Sequence, residues 1–327
     1  MSTEPDFEVR LGRLREEAKH GGPVPGRGVD VAGGPIPSRP GYFGEAVVKP
    51  PVWTWEIPLY FFVGGACGMA PLIACAAWFL GNLELMRAAL WITAAGAIIS
   101  PILLIMDLGR PQLFLNMLRV FKHRSPMSVG AWILSIFGSF AVPAWLLFEL
   151  YINHAFSASI DPFVLIVAGL LTVGAAVFGL GLATYTGVLI GATVIPAWFL
   201  HRILLPIHFG TAGLGCAAAI LELLGFQIRP LFILGMLAAI IETLLWIWLE
   251  IDRHGAADRA LHQGTVGWLI RGGEIFSGPL AIVFRLTNLI PLAAISFSLG
   301  ALFSRFGWIA AGRVSGRDPE AVFASQA

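Results

Sequence analysis

From Trp53 onward the chain runs as long apolar stretches separated by short polar breaks, each stretch near the ~20 residues an α-helix needs to cross ~30 Å of hydrocarbon at ~1.5 Å per residue. The pattern predicts spans over 57–80, 85–106, 129–152, 162–184, 198–224, 230–250, 266–286 and 288–311. Arg271, Glu274, Gly272-Gly273 and Gly278-Pro279 interrupt the seventh, which suits a short or re-entrant helix lining a cavity. The apolar run 162–195 is too long for one upright helix. With Gly179, Gly181, Gly187 and Pro196 in or after it, the fourth span is expected to break or project near Thr184–Gly187. In the 107–128 loop, Leu113, Phe114, Met117, Leu118 and Phe121 recur at helical spacing, as in an interfacial amphipathic helix. Trp53, Trp55, Trp91, Trp132, Trp246 and Trp248 fall towards span ends, where aromatic belts form. Gly64 and Gly68, and Gly187 and Gly191, have the four-residue spacing that permits close helix contact.

Residues 1–50 are different in kind, polar and rich in Pro and Gly, and form an arm that is extended or disordered in isolation. The arm has no apolar segment followed by a small-residue cleavage site, so it is expected to stay on the side where it was made. The membrane domain then covers 51–311 and a short tail 312–327. With eight spans, all of the 21 Lys and Arg residues except Arg87, Arg229 and Arg285 fall on one side. The positive-inside rule therefore predicts both termini in the cytoplasm, and a seventh span that crosses.

Composition agrees: 57% of the 327 residues are hydrophobic and 13% charged, with mean hydropathy +0.79, against about 25% charged residues in soluble domains. The fold class is all-α, a polytopic membrane protein. The net charge of +1 and the lack of a basic tract leave no case for nucleic acid as a partner. Cys67, Cys75 and Cys216 form no CxxC or CxxCH motif, so the sequence encodes no recognisable disulfide, zinc, iron–sulfur or c-type haem site. A redox metal would belong to a partner.

Ionisable groups inside spans are costly and mark functional candidates. They are Glu56, Glu149, His201, Arg202, His208, Glu222, Glu242, Glu250, Arg285 and Arg305, with Asp107 and Arg110 at the edge of the second span. Glu149, Glu222 and Glu250 lie near span ends, where snorkelling to headgroup water is the simpler reading. Glu242 lies midway along its span and needs a partner or a proton. Asp107 and Arg110, three residues apart, suit either a clamp that fixes the turn before Pro111 or a functional pair. His201 and His208 would share one face of the fifth span about 10 Å apart by helix rise. The other spans offer no histidine opposite them, which argues against a b-type haem. Proton transfer, a hydrogen bond to a ligand carbonyl, or a satisfied core histidine all remain open for them. Tyr185, between Thr184 and Thr186, could donate to a ligand carbonyl or to a backbone carbonyl freed by a helix break. Glu56 could take a proton from a ligand or face interfacial water.

Together these motifs resemble the NrfD/PsrC type membrane subunits of polysulfide, nitrite and related molybdenum or iron–sulfur oxidoreductases. The matching stretches are WTWEIPLYFFVGGACGMA (53–70), DLGRPQLF (107–114), SPMSVGAW (125–132), YTGVLIGATVIPAW (185–198), LPIHF (205–209) and FSRFGWIAAGRVSGRDP (303–319). The resemblance implies eight helices in two four-helix bundles, no metal in this chain, and a quinone, menaquinone or ubiquinone, bound in the membrane. It also implies an iron–sulfur electron-transfer subunit and a catalytic subunit as partners, in the cell inner membrane. Quinone-site residues carried over are Tyr185 with Thr186, and Glu56 and Tyr60 in the 53–60 segment. Asp107 and Arg110 match the helix-two motif and, with His201, His208 and Glu242, would connect the site to water. Glu56 stands where relatives often carry His or Asn. Two other classes compete: a secondary transporter, which should show an inverted repeat that is not evident between the halves, and a structural anchor whose buried polar groups serve packing alone.

Overall fold

The computed structural model describes Val48 and residues 52–108, 111–155 and 157–325, and the described residues form helices and connections without a strand. The predicted N-terminal arm and Arg110 lie outside the described residues, Val48 excepted. The first four long helices are α1 Glu56–Phe79, α2 Leu83–Asp107, α3 Pro126–Ile152 and α4 Asp161–Gly191. They end where the sequence supplies caps and prolines. Asn82 Oδ1 accepts from Leu85 N at 3.0 Å and Ser125 Oγ from Ser128 N at 3.5 Å, while Pro126 and Pro162 take first-turn positions that have no carbonyl to bond. After a short α5 (Pro196–Phe199) come α6 Leu204–Leu223 and α7 Arg229–Ile251. A 3-10 turn (Gly255–Asp258) and a short α8 (Arg259–His262) lead to α9 Gly264–Ser277 and α10 Pro279–Leu286. The chain finishes with α11 Ile290–Arg317 and α12 Pro319–Ala324.

Helices α1 to α4 pack as one four-helix bundle, and α6, α7, α11 and the α9–α10 pair form a second. The bundles meet along a seam where α1 and α4 both touch α6. Among the described residues, seven helices are long and apolar enough to cross a membrane. The seventh predicted span is divided into α9 and α10, broken at Gly278-Pro279. Arg271 near its start bonds Glu250 at the end of α7, and Arg285 near its end lies against Gly235 in the first half of α7. The α9–α10 pair therefore lies antiparallel alongside α7. Both described ends meet on one face, since Arg313 of α11 donates to the Trp53 carbonyl ahead of α1.

Three sequence expectations change. The fourth span does not break near Thr184–Gly187: α4 is one helix to Gly191, and Thr184 Oγ1 returns a bond to Leu180 O at 2.8 Å. The glycines serve packing instead. A Cβ on Gly187 would stand 2.5 Å from Pro206 N, and one on Gly68 would stand 2.5 Å from Gly179 O, so only glycine allows the α4–α6 and α1–α4 backbones to approach this closely. Second, the loop helix is a 3-10 helix, Pro111–Leu118. Third, the fifth span begins at Leu204, not 198, because a turn at 200–203 separates it from α5.

Candidate functional site

At the face where Trp53 lies, the first bundle opens into a largely apolar cavity. Its walls come from every helix of that bundle: Ile57, Tyr60 and Phe61 from α1, Leu104 and Asp107 from α2, Met127 and Gly130 from α3, Tyr185 and Leu189 from α4, with Met117 of the 3-10 helix closing one side. Gly130 makes this possible. A Cβ there would overlap the Tyr185 ring and hydroxyl, so the ring rests directly on the α3 backbone. Trp53 covers the cavity and stacks on Trp198 at 5.7 Å and 19°, and Trp198 Nε1 donates to Trp308 O at 2.7 Å. Trp53 is thus part of the cavity wall and not only of an aromatic belt. Arg313 is close enough to Asp107 to interact with it electrostatically while bonding the Trp53 carbonyl, which ties the second bundle to the mouth of the cavity.

Of the four residues proposed from sequence for a ligand here, Tyr60 and Tyr185 line the cavity. Glu56 and Thr186 are buried but are not among the lining residues. Glu56 accepts from Thr54 Oγ1, and Thr186 Oγ1 donates to Ala183 O at 3.3 Å.

The residues proposed for a proton route fall into three separate places. Asp107 is in the cavity wall. His201, in the turn before α6, has Nε2 3.0 Å from Asp258 Oδ1, and His254 Nδ1 lies 2.9 Å from Asp258 Oδ2. Burial pushes the Asp258 carboxyl up, but the donors on His201 and His254 outweigh it and hold the group below the usual carboxylate value. His208 sits in the second bundle between Glu242 and Ser304, and Glu274 Oε1 lies 3.2 Å from Ser304 Oγ and 3.6 Å from His208 Nε2. His201 and His208 do not share a helix face; they pack against Trp308 at 5.7 and 6.5 Å. In each of the two clusters, three candidate ligand atoms lie within 4.8 Å of one another, those of His201, His254 and Asp258 and those of His208, Glu242 and Glu274. Sequence reasoning missed Asp258, which looks like any loop aspartate, and Ser304. Glu274 carried a signal, an acid within an apolar span, that was read only as an interruption.

Glu149, Glu222 and Glu250 do not simply snorkel. Glu149 takes Arg87 Nε and Nη2 at 2.8 and 2.6 Å and Trp91 Nε1 at 2.8 Å, while Glu250 takes Arg271 at 3.0 Å and Arg253 at 2.6 Å. Glu222 and Arg285, 2% exposed each, form a bidentate pair at 2.7 and 2.7 Å.

Compared with known proteins, residues 46–228, more than half of the chain, match the family described as polysulphide reductase, NrfD. No curated protein matches the chain.

Proposed function

The chain belongs to the polysulphide reductase NrfD family, whose members are integral membrane subunits of quinone-linked oxidoreductase complexes, and on that premise we propose that it binds a quinone or quinol in the cavity of the first bundle and exchanges electrons with an iron–sulfur subunit. The observation that carries this reading is the cavity itself. A quinone is a flat apolar ring with two carbonyls and an isoprenoid tail, so its site needs an apolar slot, one or two hydroxyl donors and a nearby base. The cavity joins Ile57, Phe61 and Leu104 to Tyr60, Tyr185 and Asp107.

A bound quinol supplies two electrons and two protons, and the quinone accepts the same number in the reverse direction. In this reading the Tyr185 and Tyr60 hydroxyls orient the ring oxygens and Asp107 holds or releases a proton beside them, with Arg313 balancing its charge. Trp53 and Met117 keep water from the ring. Glu56, buried one turn before Tyr60, is the second proton acceptor. The electrons leave to a cluster on a partner docked at the Trp53 face, alongside a catalytic subunit, and by the positive-inside count that face is cytoplasmic in the cell inner membrane.

The test is equilibrium binding of a quinone analogue to the purified protein. Tyr185→Phe removes one hydrogen bond, about 0.5–1.5 kcal/mol, so the Kd should rise roughly two- to tenfold. Glu56→Gln and Asp107→Asn should change the pH dependence of binding. Unchanged Kd in Tyr185→Phe together with unchanged pH profiles would remove the site assignment, and absence of any binding would favour a structural anchor or a transporter.

A further inference from the structure

The second bundle encloses a row of polar groups that quinone chemistry in the first bundle does not use. His208 of α6 has Nδ1 2.6 Å from Glu242 Oε2 of α7 and Nε2 2.7 Å from Ser304 Oγ of α11. Ser304 Oγ in turn lies 3.2 Å from Glu274 Oε1 of α9. All four residues are buried. The other groups facing the row are Arg305 of α11 and Cys216 of α6. Arg305 covers the Phe209 ring at 3.7 Å and donates to the Phe209 carbonyl at 3.0 Å.

Charge decides what the row holds. Two carboxylates and one guanidinium leave one negative charge, and an unbalanced buried charge costs several kcal/mol even after relaxation. One proton on the row removes it. A divalent metal fits poorly. Both imidazole nitrogens already stand at hydrogen-bond distance from protein oxygens, and two added positive charges would overshoot neutrality beside Arg305.

The hydrogen count then allows two arrangements of equal charge. A neutral imidazole and a serine hydroxyl each own one hydrogen. With the extra proton on Glu274, Glu274 donates to Ser304 Oγ, Ser304 donates to His208 Nε2, and His208 Nδ1–H donates to the Glu242 carboxylate. If each hydrogen steps to its acceptor, Glu242 becomes the acid and donates to Nδ1. His208 Nε2–H then donates to Ser304, and Ser304 donates to the Glu274 carboxylate. Three O–H or N–H bonds break and three form. No heavy atom has to change partners. The outer oxygens, Glu242 Oε1 and Glu274 Oε2, are buried without a hydrogen-bond partner among the described residues, which leaves each end of the row able to receive or pass on the proton.

We infer that Glu274, Ser304, His208 and Glu242 form a one-proton relay across the second bundle, from α9 to α7. It shares no residue with the cavity, so it does not depend on the quinone reading. The test uses the full-length protein in lipid nanodiscs at neutral pH. Infrared spectra should show a protonated carboxyl band in the wild type that is lost in Glu242→Gln and equally in Glu274→Gln, because either change alone lets Arg305 balance the remaining carboxylate. In Ser304→Ala the band should persist. Nitrogen-15 spectra should then show His208 fixed in one tautomer, where the wild type averages two. A band that survives in either glutamine variant, a wild type without the band, a fixed or doubly protonated His208 in the wild type, or stoichiometric zinc or manganese in the purified protein would each overturn the relay. If a glutamine variant fails to fold, the wild-type and Ser304→Ala spectra decide it alone.

Discussion

Replacing Arg285 by Met tests how this fold manages charge inside the membrane. Arg285 Nη1 and Nη2 each meet a Glu222 oxygen at 2.7 Å, and Nη1 also reaches the Phe232 carbonyl at 3.4 Å. The α7 backbone comes so close at Gly235 that an added Cβ would overlap the guanidinium. At 2.7 Å and an effective permittivity of about 20, the attraction is about 6 kcal/mol. Desolvating each ion costs several kcal/mol, so the pair as a whole comes near to break-even. Removing one partner does not, because Glu222 keeps its desolvation cost and loses its compensation. Arg285→Met should therefore cost about 3–5 kcal/mol, two to four powers of ten in the folded-to-unfolded ratio. The double variant Glu222→Leu with Arg285→Met should return to within about 1 kcal/mol of the wild type or exceed it. Unfolding in mixed detergent micelles, followed by circular dichroism, measures all the corners of this double-mutant cycle. A single variant that costs under about 1 kcal/mol, or a double variant that costs the sum of the two singles, would refute the reasoning.

Other perturbations test other parts of the fold. Gly179→Ala would drive a methyl group into the Gly68 backbone and should destabilise the first bundle by about 1–3 kcal/mol in the same unfolding assay. Gly130→Ala should displace the Tyr185 ring and weaken quinone-analogue binding about tenfold or more, equivalent to ~1.4 kcal/mol, as read by titration of the purified protein. Asp258 has a folded pKa below its unfolded value of 3.8, so its contribution is full above about pH 4 and is lost as pH falls through the folded value. The difference in thermal stability between wild type and Asp258→Asn should accordingly shrink as pH falls from about 4 through the folded value, and a gap that widened over that acidic range would contradict the sign.

Much of the architecture was legible from hydropathy because spanning helices satisfy their own backbone and must be apolar over a set length, a local property. The positions of six spans and the in-span ions can be read one segment at a time, whereas the tyrosines that line the cavity are assigned to one ligand site only by the resemblance to the family. The break expected in α4 failed for an instructive reason. Glycine in a long apolar run signals either a bend or a close neighbour, and only the neighbour, the backbone at Leu205 and Pro206, tells which. Glu56 and Tyr60 stand one turn apart on α1, yet only Tyr60 reaches the cavity, since the packing of α2 to α4 decides which side chain is admitted.

The amino-acid sequence by itself determined that this chain lives in lipid, where most of its apolar helices run and which few ions it takes inside. Tertiary structure alone decided what those ions do. Glu222 finds Arg285 across 63 positions, and His208 finds Glu242 across 34 and Ser304 across 96. A buried charge specifies that a partner must exist, through its desolvation cost. Which partner it meets depends on how separate helices pack, and no pattern within one helix encodes that.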